Sequence, residues 1–483
     1  MSPLLRIRRL LRAWRDAKSE YARVAWAAID ESDDEAKGDL AYRQGALEDA
    51  RRKLGSGEAR SLIEESSSIG LLDAGDFALL TAQLAEAAHD EVIARRHVAL
   101  VGASLKSSID VEGKPVRLFP LLQHPSTWTT PEAQSVLRSW LAQTASRRAD
   151  AVAEADATRA KVMSRTDQKP SAELEGDAWL KATDDALAEH LERALHALRE
   201  TERDGHVRVL LALRAAPLDA LFPRVSRIRQ LTRPLERVGF DTRIASRIRV
   251  TEHAHLDLDT KLLQFDDPTR VHIALSPIEH GLSSALLTLR TLGESYSRAL
   301  GTHALGIERI HASNELADAL GHVLMLAMCE RAYLERGLGL DRSTTDAVHA
   351  VATFNVLVQM RLDIARSAQR VSGDVPFSDK SVARASRALT THDRFPLTPF
   401  LDSYETTPTL QVRAKSAMLA PLLHARLRER FNEDYIRNPR VFEVLQGMSS
   451  RRGSLTVEAF TQELGAEVKD AADAAVLWGR DGR

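Results

Sequence analysis

Apolar residues recur at helical spacing along almost the whole of this chain, and that periodicity leaves little room for anything but a multi-helical architecture. The clearest case lies between Glu173 and Glu202. There Leu180, Leu187, Leu191, Leu195 and Leu198 step by seven, four, four and three residues and form one stripe. Glu189 and Arg193 sit four apart on the wet side, where they support a helix slightly. The heptads are not sustained, so the stripe predicts a helix docked on a core rather than a coiled coil. Residues 16 to about 165 read as helix after helix, rich in Ala, Glu, Asp and Arg. Breaks fall at Gly55 and Gly57, around Ser66 to Gly70, and from Gly113 to Pro131, where Pro115, Pro120, Pro125 and Pro131 mark a loop. The polar stretch Ser164 to Ser171 is a linker candidate, dividing an N-terminal helical region (1–165) from a C-terminal domain (172–483).

Two segments depart from the helical period. Arg247 to Val250 and Arg270 to Ala274 are short β-branched runs that read as strands of a small sheet. Three helices are expected after them, at Gly281 to Leu300, Ser313 to Arg336 and Thr344 to Arg370. A Pro- and Thr-rich connection (Arg394 to Pro408) then leads to a last helical group ending near Trp478. The predicted fold class is mostly α, with a small β element near residues 245–275.

Charge and cysteine content exclude several functions. There are 66 Lys+Arg against 68 Asp+Glu, a net charge of -2, which lacks the cationic excess of a general nucleic-acid binder. The single cysteine, Cys329, forbids an intrachain disulfide framework and any CxxC metal site; in an apolar helix it reads as a small buried hydrophobe. No 18-residue apolar run is present, so no transmembrane helix is expected, and the chain reads as cytoplasmic. At the N-terminus, Arg6, Arg8, Arg9, Arg12 and Arg15 precede any acid, while Leu4, Ile7, Leu11 and Trp14 recur at helical spacing. This pattern predicts a first helix docked on the body, and it also suits weak association with a surface.

The familiar reactive motifs are missing. There is no GxxxxGK[ST] loop, no GxGxxG after a strand, no GxSxG elbow and no HExxH. HExxH matters because two imidazoles four apart share one helix face and can hold one zinc while the Glu between them activates its water. Among the histidines, His253, His255 and Asp257 share a face if that segment is a strand, with His272 on the neighbouring predicted strand. They form the alternative metal set. His322 lies in the apolar run Gly321 to Met328 and reads as a satisfied core histidine.

The C-terminal half resembles the helical gluzincin metallopeptidases, the thimet-oligopeptidase-like group, and in particular a bacterial branch of it. The resemblance is carried by a short strand (Arg270 to Ser276), a Ser-Pro turn and a helix reading ALLTLRTLGESYSRAL from Ala285. Further on, FNVLVQMRLDIARSAQR (Phe354 to Arg370) is similar to the helix that follows the site. LLHARLRERFNEDYIRNPRVFEVL (Leu422 to Leu445), with an acid-aromatic pair before Arg-Asn-Pro, is the most specific match. Placing Leu292-Gly293 on the Leu-Gly of the motif LLHELGHAL puts Arg290 and Thr291 at the first His and the Glu, and Glu294 at the second His. The third ligand, an acid on a following helix, falls at Glu315 or Asp318.

The departures shape what this resemblance implies. RTLGE stands in place of HExxH: both imidazoles are lost, and a threonine hydroxyl cannot serve as the general base. Arg290 brings a cation to a metal's place and, four residues from Glu294, can pair with it; Glu294 can likewise pair with Arg298. The resemblance therefore implies a retired peptidase that binds a peptide or partner protein in a helical cleft, with no catalytic residue and no cofactor. Two other readings remain open. One is a zinc peptidase with a relocated site, drawing on His253, His255, His272 or His280 with Glu294 or Asp318. The other is a helical scaffold without peptidase ancestry.

Overall fold

The computed structural model describes residues 2–30, 34–72, 108–111, 114–117, 176–201, 205–236, 248–252, 260–264, 271–275, 281–300, 314–372, 379–389, 407–449, 457–465 and 471–478, with residue 467 and scattered positions between 77 and 161. These residues are mostly helical, as the periodicity predicts. Helices α1 (Pro3–Asp30), α2 (Asp34–Leu54) and α3 (Gly57–Ser68) form an N-terminal group. Ile7 and Leu11 are buried with Leu54, Leu62 and Ile63, and Leu4 and Trp14 pack beside them. The apolar side of the arginine-rich helix is thus taken up by the fold, while Arg8, Arg9 and Arg12 stay exposed. Strands β1 (Ser108–Val111) and β2 (Lys114–Arg117) pair antiparallel. The expected loop at Gly113 to Pro131 therefore begins with a strand at Lys114, because Ile109, Val111 and Val116 supply β-branched side chains to a hairpin.

The C-terminal part opens with α4 (Gly176–Ala182), α5 (Asp184–Leu198), α6 (Gly205–Arg214), a 3₁₀ turn (Ala216–Leu221) and α7 (Arg224–Glu236). Three strands follow: β3 (Ile248–Glu252), β4 (Thr260–Gln264) and β5 (Val271–Leu275). Their order is β3-β5-β4, with β3 parallel and β4 antiparallel to the central β5. Then come α8 (Gly281–Leu300), α9 (Asn314–Leu326), α10 (Arg342–Ser372), α11 (Asp379–Ala388), α12 (Thr407–Phe431), α13 (Pro439–Ser449), α14 (Val457–Glu463) and α15 (Ala471–Trp478). The small sheet and α8 lie where they were expected. No helix among the described residues is long and apolar enough to cross a membrane.

The core is organised around α10, a 31-residue helix on which almost every side chain from Val351 to Ala365 is buried. It packs against α4, α5, α11 and α12. A helix buried on all sides needs such a central place. Arg361, fully buried on it, works as a staple. Its guanidinium donates to the Leu180 carbonyl at 2.6 Å, the Arg387 carbonyl at 2.6 Å, the Ala388 carbonyl at 3.3 Å, Asp184 Oδ1 at 2.5 Å and the Thr183 hydroxyl. The carbonyls belong to the C-terminal ends of α4 and α11, where the helix's own amides have run out.

That staple explains one difference from expectation. The stretch Glu173 to Glu202 is two helices rather than one, broken at Thr183, whose hydroxyl turns back to the Trp179 carbonyl at 3.0 Å. A second difference lies at Ser313 to Arg336. There α9 ends at Leu326 and passes through a 3₁₀ turn (Ala327–Cys329) to Glu330, which is extended at φ -97° and ψ 118°. A π-helical turn follows (Tyr333–Gly337). The break carries the Glu330 carboxylate to α12, where His424 Nε2 meets it at 2.8 Å.

Candidate functional site

The start of α8 is fixed from outside the helix. Asp219 Oδ1 accepts the Gly281 backbone N–H at 2.7 Å, and Asp219 is itself held by Arg214 at 2.6 and 2.9 Å. A carboxylate at a helix N-terminus satisfies a free amide and complements the dipole. A side chain at Gly281 would press on the Asp219 backbone, with its Cβ 2.6 Å from the carbonyl oxygen.

Two glycines then set how closely α8 and α9 approach. A Cβ on Gly293 would lie 2.4 Å from the Leu320 carbonyl oxygen, and one on Gly321 would lie 2.8 Å from the Arg290 carbonyl oxygen. The helices therefore cross backbone against backbone. This brings Arg290 and Glu294 of α8 to Asp318 and His322 of α9, with Asp363 and Arg366 of α10 and Arg413 of α12 closing the group.

Arg290 is the hub. Its Nη2 donates to Asp363 Oδ2 at 2.8 Å, and its Nε lies 3.4 Å from Glu294 Oε1. Asp363 also takes Arg366 Nη1 at 3.1 Å, and Asp318 has Arg413 at 3.9 Å. The side chains of Arg290 and Glu294 are only 12% and 16% exposed, so they are not solvated charges on a convex surface. The carboxyls of Glu294, Asp318 and Asp363 lie among the guanidinium groups of Arg290, Arg366 and Arg413, with Arg298 also acting on Asp318. Such pairing matters because a buried unpaired charge costs several kcal/mol.

Burial and neighbours pull these groups in opposite directions. Burial alone would raise the Asp363 carboxyl, but the charges of Arg290 and Arg366 outweigh it and hold it well below the usual carboxylate range. Burial alone would lower the Arg290 guanidinium, and Asp363 and Glu294 instead raise it. Asp318 goes the other way: burial, helped by the negative charge of Glu294, pushes it up to about 7. His322 is lowered by burial and by Arg290. Its Nδ1 lies 2.9 Å from the Asp318 carbonyl oxygen and must carry the proton to bond there. In the neutral ring Nε2 is then a bare lone pair, 3.4 Å from Asp363 Oδ2, and it has no hydrogen bond. His322 is thus a buried histidine satisfied on one side only, not the fully satisfied one that its apolar helix suggested.

Three of the five positions singled out from the sequence, Arg290, Glu294 and Asp318, come together here. Thr291 does not join them: its side chain is buried and its hydroxyl donates to the Leu287 carbonyl at 2.9 Å. Glu315 lies in the first turn of α9, and its side chain is outside the described residues. Sequence reasoning missed Asp363, Arg366 and Arg413. A signal for the first was present, since a carboxylate inside an apolar run such as Val356 to Ala365 is almost never buried without a partner.

The donor set does not suit a metal ion. A guanidinium fills the middle of the group, and a hydroxyl turned back into its own helix replaces the carboxylate. Among the described residues no three His, Cys, Asp or Glu side chains converge on a point where a metal could sit. In the alternative set, His272 is half-buried on β5, while His253, His255, Asp257 and His280 lie outside the described residues. Cys329 is buried, and burial pushes its thiol well up from its ordinary value, which suits the inert role expected of it.

A second buried group escaped the sequence reading. His424 Nε2 meets Glu330 Oε1 at 2.8 Å and its Nδ1 meets the Tyr435 hydroxyl at 2.6 Å. Burial and the Glu330 charge raise the Tyr435 phenol well above its ordinary value, so it donates rather than ionises. Between the two groups lies an apolar cavity of about 50 Å³, lined by Gly293, Tyr296, Leu320, Val323 and Tyr435 among others.

Searches with the sequence find no family model that matches and no curated protein that does. Comparison of the fold does find relatives. Metallocarboxypeptidase 1 of Trypanosoma cruzi superposes with a TM-score of 0.60 over 97% of each chain at 15% identity. A putative oligoendopeptidase F from Bacillus anthracis str. Ames gives a TM-score of 0.55, covering 95% of this chain and 94% of that one at 9% identity. At such identities the likeness establishes a helical metallopeptidase-like fold along nearly the whole chain, and nothing about activity.

Proposed function

We propose that this protein is a retired metallopeptidase, a pseudo-peptidase of the thimet-oligopeptidase-like type, which holds a peptide or protein partner without cutting it. One observation carries the reading: the Arg290 guanidinium is clamped by Asp363 and Glu294 at the crossing of α8 and α9, in a chain with a metallopeptidase-like fold. The resemblance aligns Arg290 and Glu294 with the motif and Glu315 or Asp318 with the third ligand, and the charge of Glu294 acts on Asp318. On that alignment the crossing is inherited and the chemistry of the groups it collects has changed. In this reading the N-terminal helices, 1–165, close over the domain at 172–483; contact of α1 with β4 supports that arrangement.

The test is elemental analysis of protein purified without chelator or His tag, together with a panel of internally quenched peptides. The expected result is no stoichiometric zinc and no cleavage above a chelated control. One zinc per chain with chelator-sensitive cleavage overturns the proposal and turns attention to His253, His255 and His272. A stricter form restores the motif as R290H/T291E/E294H. Tight zinc binding by that triple variant, absent from the parent, is expected if the framework is the inherited one.

A further inference from the structure

A groove of about 950 Å³ runs along the C-terminal half of α12, bounded by the turn at 432–434 and by α15. Its walls carry charges of both signs, and most of them neutralise one another. Arg426 meets Glu429 at 2.6 Å, and Arg336 meets Glu433 at 3.4 Å and Asp434 at 3.5 Å.

Two opposite charges on these walls make no hydrogen bond among the described residues. Arg428 has one acid near it, Glu330, at 3.8 Å, beyond hydrogen-bond reach. The nearest carboxylate oxygen is already engaged by His424 at 2.8 Å. The buried His424–Glu330 pair thus holds that acid back and leaves the guanidinium fork of Arg428 free of hydrogen bonds among the described residues. On the other wall Asp473, in the first turn of α15, is exposed and has no ion-pair or hydrogen-bond partner among the described residues. Leu422, Ala474 and Trp478 give the groove an apolar patch. The indole of Trp478 is half-buried and backed by the His190 ring at 6.5 Å, so it is a fixed surface.

We infer that this groove binds a zwitterion of amino-acid or dipeptide size, with its carboxylate on Arg428, its ammonium on Asp473 and an apolar side chain on Trp478. A guanidinium fork matches a carboxylate in two hydrogen bonds, and both contacts are charge-assisted. A polyanion does not fit, because four carboxylates line the walls. A simple cation does not fit either, because Arg428 stands in the same space. The size is that of small-molecule pockets.

Calorimetry with the dipeptide Phe-Leu, its N-acetyl form, its C-terminal amide and free phenylalanine tests the assignment on the full chain. Phe-Leu or free phenylalanine is expected to bind, the tighter of the two fixing ligand length. Capping either end of Phe-Leu costs about tenfold or more in affinity, as for loss of one charged hydrogen bond. R428A should weaken Phe-Leu and N-acetyl-Phe-Leu while leaving the amide unchanged. D473N should weaken Phe-Leu and the amide while leaving the N-acetyl form unchanged. Asp473 is exposed and Arg428 half-buried, and an unchanged thermal midpoint verifies folding. Equal binding of capped and free peptides, loss of all ligands alike in either variant, or no binding at millimolar concentration overturns the assignment.

Discussion

Arg290 and Arg361 both reach into this core, and they are held in different ways. Arg361 is surrounded mainly by neutral acceptors: three backbone carbonyls, one hydroxyl and the single acid Asp184 at the rim. Arg290 is held by carboxylates, Asp363 and Glu294, in a pocket shared with Asp318 and His322. The consequence is visible in their basicity. Burial lowers the guanidinium of Arg361, with Asp184 only partly opposing it, whereas carboxylates raise that of Arg290. Carbonyl oxygens do not titrate and carboxyls do. The first arginine is therefore held mainly by groups that do not titrate, and the second is part of a system that must answer to pH.

The widest test of that contrast is R361M. It strands the carbonyls of two helix ends, and a loss of about 3–5 kcal/mol is expected from chemical denaturation. R361K should recover only part of this, since an ammonium has three donors and no fork. A loss under 1 kcal/mol would show that water replaces the staple.

Next is G293A, which tests the spacing beneath the ionic cluster. Its Cβ would meet the Leu320 carbonyl oxygen at 2.4 Å, a backbone atom that cannot swing aside. A loss of about 3 kcal/mol is expected, as for overpacking without relief.

D318N is expected to have a smaller and opposite effect. Asp318 titrates at about 7 in the folded chain and near 3.9 when unfolded, so the native state binds the extra proton between those values. Stability on this account falls as pH rises through that window and levels off above 7. D318N removes the slope and should stabilise the protein at pH 8 by about 1–3 kcal/mol.

At Asp363 the sign is reversed. Its contribution is complete above about pH 4 and is lost only as pH falls toward its depressed native value. Thermal melts of D363N and the parent at pH 7 and pH 3 check this: the gap between them should shrink at the lower pH.

How far the sequence went can be read element by element. Helix α8 was legible from Gly281 to Leu300 because its apolar spacing and its flanking turn agree. Strands β3 and β5 were legible from β-branched residues, while β4, reading TKLLQ, has too few of them to stand out. The break at Thr183 was invisible, because its cause is a side chain 178 positions away. The same holds for the charge cluster. Spacing alone placed Arg290 beside Glu294 on one helix face, and the resemblance placed Glu315 or Asp318 opposite them. Nothing local said that Asp363 and Arg366 would arrive from α10, or that Thr291 would turn its hydroxyl into its own helix.

The crossing at Gly293 and Gly321 has a consequence for how such a molecule can change over generations. The distance between the two helices is set by bare backbone, so it does not depend on which side chains project beside it. Any set of neighbours with compatible length and balanced charge can occupy the space without moving the framework. The framework written in the backbone and the occupation written in the side chains can therefore change separately, as long as each exchange keeps the buried charges paired.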